Sequence, residues 1–214
     1  MKAVQTENSA DATRLSALDC AKAIFVQNRG MLSTTTAIRL GVHPETLYHM
    51  KNRGDLVQIE RGLFRLSTLP PFSNPDLVSV AVKAPKAVIC LISALSFHEL
   101  TTQIPHEVHI ALLPGYKSPR IEHPPIRVFH FSGKALREGV QTHKIDGIPV
   151  SIYCREKTLA DCFKFRNKIG KDVAIEALKI YSRQKRAKVE DLLRFARICR
   201  VEKVMLPYLE AIFS

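Results

Sequence analysis

Four groups of side chains in this 214-residue chain have types and spacings that chemistry could use. The run Arg183-Gln184-Lys185-Arg186-Ala187-Lys188 sets four cations in six residues, which concentrates positive potential where phosphate oxygens could dock. Arg194, Arg197 and Arg200 recur at every third residue, a slanted basic stripe on a helix. Asp161 with Lys157 and Lys164 supplies a carboxylate and two ammonium groups, a set that could hold a phosphate and a metal. His98-Glu99 and His106-Glu107-Val108-His109 put imidazoles beside carboxylates, the raw material of a metal site.

Most of these do not meet the geometry their chemistry demands. Neither histidine group is an HExxH pair, and in a strand His106 and His109 face opposite sides, so the histidines read as structural and no metal is expected. Glu156 and Asp161, five residues apart, fall on opposing flanks of one helix and cannot share a substrate as an acid pair; Asp161 is expected to pair with a nearby Arg or Lys. The five cysteines, at 20, 90, 154, 162 and 199, form no CxxC pair, which speaks against a disulfide framework and a Cys-rich zinc site and for reduced, mostly buried thiols. No GxxxxGK[ST], GxGxxG or GxSxG motif occurs. The expectation is therefore binding rather than catalysis, with no catalytic residue and no cofactor. A phosphotransferase built on Asp161, Lys157 and Lys164 stays open as the enzyme alternative.

A fifth constellation fits a helix-turn-helix position by position. In Ser33 to Met50, Ala37 is small where two helices cross, Gly41 relieves the turn, and Val42, Leu47 and Met50 pack the second helix on its support. Leu47 and Met50 define the inward face, so Glu45, Tyr48, His49 and Asn52 point away and would enter a major groove. Glu45 could accept from a cytosine amino group, Asn52 pair with adenine and His49 with guanine. Ser33, Thr34, Thr35 and His43 lie at helix starts, where hydroxyls and amides suit phosphate oxygens, and Arg53, Arg61 and Arg65 line the helix end and the wing. Winged helices also serve as protein-interaction modules, and that reading stays open too.

The elements that must position these residues follow from periodicity and breakers. Helices are predicted over Leu15 to Asn28, from Ser33 or Thr34 through Leu40, and from Pro44 toward Gly54; strands over Leu56 to Glu60 and Leu63 to Leu66, joined at Arg61-Gly62. Pro70, Pro71 and Pro75 cannot sustain a helix and mark a linker. Asn74-Pro75-Asp76 opens a short helix that stops before Pro85, and Ala87 to Leu100 reads as another. Strands are predicted over His106 to Leu113, Ile126 to Phe131, Thr142 to Ile145 and Ile148 to Tyr153, the last two joined by an Asp146-Gly147 hairpin. Helical spacing then appears at Leu159, Cys162, Phe163 and Arg166, at Val173, Ala177, Leu178 and Tyr181, and at Val189, Leu192, Leu193 and Ala196, with Pro207 starting or kinking the final helix.

The fold class is therefore α+β: an amino-terminal winged helix-turn-helix followed by a mixed α/β carboxy-terminal domain ending in basic helices. The expected division is a flexible leader over 1–13, the winged helix over 14–68, a Pro-rich linker over 69–75 and the second domain over 76–214. The formal charge of +12 is unevenly spread: residues 153–214 hold fifteen basic and eight acidic side chains, residues 1–70 only nine and six, so a polyanion is the natural partner. The apolar runs are far shorter than the ~20 residues that span a bilayer, and the leader carries Glu7 and Asp11 without an apolar stretch, so no membrane and a cytoplasmic location are expected.

The arrangement resembles the AbiEi family, antitoxins of type IV toxin-antitoxin and phage abortive-infection systems. The resemblance is carried by Gly41-Val42 through Arg61-Gly62-Leu63-Phe64-Arg65-Leu66, by Ala94-Leu95-Ser96-Phe97-His98-Glu99-Leu100-Thr101-Thr102-Gln103-Ile104-Pro105, and by Arg155-Glu156-Lys157-Thr158-Leu159-Ala160-Asp161-Cys162-Phe163. It implies a protein encoded beside a nucleotidyltransferase toxin, repressing their shared promoter through the winged helix and opposing toxicity through the second domain, with no need for a stable toxin complex. An inverted-repeat operator would be met by two copies with two-fold symmetry. The basic helices of the second domain could extend the DNA footprint, contact an RNA or join a dimer.

Overall fold

Leu18, Ala21 and Phe25 sit three and four residues apart, and all three are buried on one face of the first helix, α1 (17–27), in a computed structural model that describes residues 17–185 and 187–213. The expected leader over 1–13, Leu15 of the first expected helix, and Arg186 of the basic run lie outside the described residues. The chain divides into two compact units, Met1–Phe72 and Ser73–Ser214.

In the first unit α1 is followed by β1 (Met31–Ser33), α2 (Thr34–Arg39), α3 (Pro44–Asn52), β2 (Leu56–Glu60) and β3 (Leu63–Leu66). The caps explain the boundaries. Ser33 Oγ accepts from the Thr36 amide at 3.1 Å to start α2, and His43 Nδ1 accepts from the Glu45 amide at 3.3 Å ahead of Pro44 to start α3. Between them Gly41 takes φ +96°, the left-handed conformation that lets the chain turn within four residues. Strands β1, β3 and β2 form an antiparallel sheet in that order, with Leu32 opposite Phe64 and Leu56 opposite Leu66. Ala37, Leu47, Met50 and Phe64 are essentially solvent-free in the core beneath the sheet and helices, and burying a side chain such as Leu47 or Phe64 contributes about 1.5–3 kcal/mol.

The second unit runs α4 (Pro75–Lys83), β4 (Val88–Ile89), α5 (Leu91–Phe97), β5 (Val108–Leu112), β6 (Ile126–His130), α6 (Lys134–Arg137), β7 (Val140–Ile145), β8 (Ile148–Tyr153), α7 (Arg155–Lys164), α8 (Arg166–Ile169), α9 (Lys171–Ser182), α10 (Val189–Cys199) and α11 (Glu202–Phe213). Its five strands are ordered β6-β5-β4-β8-β7; β5 pairs with β6 and β4 with β8 in parallel, while β4–β5 and β7–β8 are antiparallel. Asp146 and Gly147 both take positive φ, +49° and +88°, which matches the tight turn between β7 and β8. Helix α7 is the hub of the helical layer, packing against α5, α9, α10 and α11, and seven of its ten residues are buried.

Several local expectations are corrected. The helix read over Ala87 to Leu100 is a central strand followed by a shorter helix: Val88 and Ile89 are buried between β5 and β8, Cys90 is extended, and the helix begins only at Leu91, itself at φ +47°. A short run that is apolar on every face carries no period, so burial in a sheet and burial in a helix look alike. Strand β1 and helix α6, three and four residues long, were not expected. His106 precedes β5 rather than lying in it, and Arg166 belongs to α8, since α7 ends at Lys164. Of the two places open to Pro207, the start of the final helix or a kink within it, the structure excludes the first: Pro207 lies inside α11. The three arginines read as a stripe on a helix do not share one: Arg200 caps the end of α10 in the left-handed conformation.

Candidate nucleic-acid interface

Helix α3 is two-sided. Val42 before it and Leu47 and Met50 within it are buried, while Glu45, Tyr48, His49 and Asn52 are exposed together on the other flank. Tyr48 is 53% exposed yet leans edge-on against Phe64 of β3, ring centroids 6.3 Å apart, so its position is fixed from below. Glu45 and His49 also border a shallow hollow with Thr46 and with Ala17 and Leu18 of α1.

The residues around this flank differ in how much of their hydrogen-bonding capacity is already used. Ser33 is engaged in capping α2, where it also donates to the Thr36 hydroxyl at 2.9 Å. Thr34 donates to the Gly62 carbonyl through both its amide, at 2.8 Å, and its hydroxyl, at 3.3 Å, which ties the start of α2 to the β2–β3 corner beside Arg61. Thr35 and Arg61 are exposed. His43 uses Nδ1 on its own helix, which makes Nε2 the N–H donor of the neutral ring. Arg53 pairs with Asp55 at 3.2 Å, and Asp55 also holds Lys22 at 2.9 Å. Arg65 donates to the Pro70 carbonyl and stacks 4.4 Å over Phe72.

Lys51, exposed on α3 and not singled out from the sequence, reaches Gln58 of β2 with its ammonium at 2.6 Å and fastens the helix to the hairpin. Its position beside Asn52 was the available signal. Arg39, exposed at the end of α2, was likewise not singled out.

In the second unit the basic residues are partly neutralised. Arg183 and Lys185 are exposed, Lys188 and Arg194 flank Asp191 at 4.0 and 3.5 Å, Arg194 stacks on Phe195 at 4.4 Å, and Arg197 binds Glu202 at 2.7 Å. Lys157 and Asp161 form an ion pair with both side chains fully buried, and Cys199 donates its thiol to Asp161 at 3.2 Å. Lys157 also lies 4.0 Å over the Tyr153 ring. Burial pushes the Asp161 carboxyl up against the downward pull of Lys157, and burial followed by the Asp161 charge raises the Cys199 thiol to about 12. Glu156 accepts from the Tyr181 hydroxyl at 2.6 Å. A pair shut away from solvent in this way cannot receive a phosphate or a metal without opening the core. His98 and His109 are buried, and desolvation lowers both pKa values, so they stay neutral. No cluster of three or more metal-ligating side chains occurs among the described residues.

A family described as transcriptional regulator, AbiEi antitoxin, spans α2, α3 and the β2–β3 hairpin. Residues 21–67 match that AbiEi family. The matched segment is thus similar to antitoxins that regulate transcription, and it contains every residue of the α3 flank. It ends before Ala94–Pro105 and Arg155–Phe163, the two stretches that carried the resemblance in the second unit. Over more of its length the chain resembles a crystal structure of the RV2827C protein from Mycobacterium tuberculosis, with 13% sequence identity, a TM-score of 0.57 and coverage of 86% of this chain and 71% of that one. At that identity the likeness speaks for the fold alone. No curated protein matches the chain. No helix among the described residues is long and apolar enough to cross a membrane.

Proposed function

We propose that this chain is a cytoplasmic antitoxin and autorepressor of a type IV toxin-antitoxin operon. Residues 14–68 form a winged helix-turn-helix in which α3 enters the major groove of operator DNA and the β2–β3 hairpin is the wing; residues 69–75 link it to an antitoxin domain over 76–214 that counteracts a neighbouring nucleotidyltransferase toxin. The observation that carries this reading is α3 itself: a helix anchored by Leu47 and Met50, inside the AbiEi match, that leaves Glu45, Tyr48, His49 and Asn52 free on its outer flank. Asn52 and His49 read bases, while Thr35, Lys51 and Arg61 meet phosphates.

The protein acts by binding. Full burial of Lys157 and Asp161 disfavours the phosphotransferase alternative, because its two central groups meet no solvent. A promoter–reporter strain tests the regulatory half: the full chain represses its own upstream promoter, and Asn52→Ala relieves repression. Co-expression with the neighbouring toxin tests the other half, since growth is rescued by the full chain and also by Asn52→Ala when both genes are driven from a foreign promoter. Repression that survives loss of both Asn52 and His49 contradicts the assignment.

A further inference from the structure

The starts of α7 and α10 open into one cleft of about 450 Å³ in the second unit, within the ~300–1,000 Å³ of small-molecule sites. Arg155 and Glu156 line it from the first turn of α7, and Lys188, Asp191 and Arg194 line it from α10. These helices have ten and eleven residues, they pack on each other, and neither start receives a side-chain cap. The positive ends of two helix dipoles thus border one space. The three cations outnumber the two carboxylates by one: Glu156 accepts from Tyr181, and Asp191 is shared between Lys188 and Arg194, so an anion bound by those two cations shares them with it.

A second observation is independent of charge. His143, on β7, is half-buried and lines the same cleft with its ring, while its Nε2 is shut off from the cleft and has no hydrogen-bond partner among the described residues. His98 lines it too and is only 8% exposed; its Nε2 lies 2.7 Å from the Tyr153 carbonyl and must donate to it, so in the neutral ring Nδ1 is a bare acceptor. His98 Nδ1 is therefore the imidazole acceptor a ligand in the cleft could use, and a ligand hydroxyl or base amino group would donate to it.

We propose that this cleft binds a phosphate monoester of mononucleotide size. The phosphate sits between the starts of α7 and α10 with Arg155, Lys188 and Arg194 around it, and the sugar or base meets His98. The site is separate from α3, so it is tested without DNA. Isothermal titration and thermal melting of the full chain would use AMP, ribose 5-phosphate and inorganic phosphate as probes, with adenosine as the uncharged control. AMP is expected to bind with a Kd below about 1 mM and raise the Tm, ribose 5-phosphate and phosphate to bind more weakly, and adenosine not to bind. Because Lys188 and Arg194 are exposed, Lys188→Gln/Arg194→Gln should melt like the native chain without ligand yet lose about tenfold or more in AMP affinity. Absence of binding by all three phosphates, or AMP affinity unchanged in the double variant, overturns the site; equal binding of phosphate and AMP overturns its mononucleotide size.

Discussion

Asn52 and His49 owe their availability to their neighbours, since Leu47 and Met50 bury the opposite flank of α3 completely. Under the proposed reading, His49→Ala or Asn52→Ala costs about 1–3 kcal/mol at the operator and relaxes base preference there, measured by competition with single-base operator variants. Equal losses on every sequence would contradict base reading by these two side chains. Lys157 and Asp161 pose a different problem at the same scale, because each neutralises the other in a space without water. Lys157→Met should destabilise the second unit by about 3–5 kcal/mol in urea unfolding, whereas Lys157→Met with Asp161→Leu recovers most of that loss, since no charge is then left alone. A Lys157→Met chain as stable as the native one would show that the carboxyl is neutral without its partner. Sequence led to the expectation that Asp161 pairs with a nearby Arg or Lys, but neither the choice of Lys157 nor the burial was legible: four residues apart on a helix is also the spacing of an exposed pair.

Helices α2 and α3 are each set by a residue at their start, and those starts are testable. Ser33→Ala removes the hydroxyl that accepts from the Thr36 amide and should cost about 0.5–2 kcal/mol in thermal or chemical unfolding, with Ser33→Asp close to native. An unchanged stability in Ser33→Ala would mean that solvent caps the helix as well. At the β2–β3 corner, Arg61→Ala should weaken binding to all DNA alike and reduce the salt dependence by about one phosphate, without altering sequence preference. Elements with local signals were legible in the sequence: the helix starts at Ser33 or Thr34, at Pro44 and at Asn74, the β2–β3 hairpin and the Asp146-Gly147 turn. Strand β4 was not, because two residues buried on both faces show no alternation, and what defines them is pairing with β5 and with β8, more than sixty residues away. The same limit applies to the basic side chains. Sequence placed Arg53, Arg65, Arg194 and Arg197 on functional surfaces, but only folding brings Asp55, Phe72, Asp191 and Glu202 against them. The cleft between the starts of α7 and α10 was equally invisible, being assembled from β7, α7 and α10.

For the whole chain, +12 at neutral pH guarantees some attraction to any polyanion, so affinity for DNA by itself decides little. More than half of that charge lies in residues 153–214, outside the AbiEi match, and part of it is spent on internal carboxylates. What separates a regulator from a merely basic protein is discrimination, and a specific regulator exceeds its own non-specific binding by about 10³-fold or more at physiological salt. The decisive measurement is fluorescence anisotropy of the full chain against its own upstream DNA and against the same DNA scrambled, each across a salt series. The account predicts a preference of at least that order for the upstream sequence, carried through rising salt and lost in His49→Ala/Asn52→Ala. Equal, steeply salt-dependent binding to both DNAs would contradict it and return the α3 flank to the role of a protein-interaction surface.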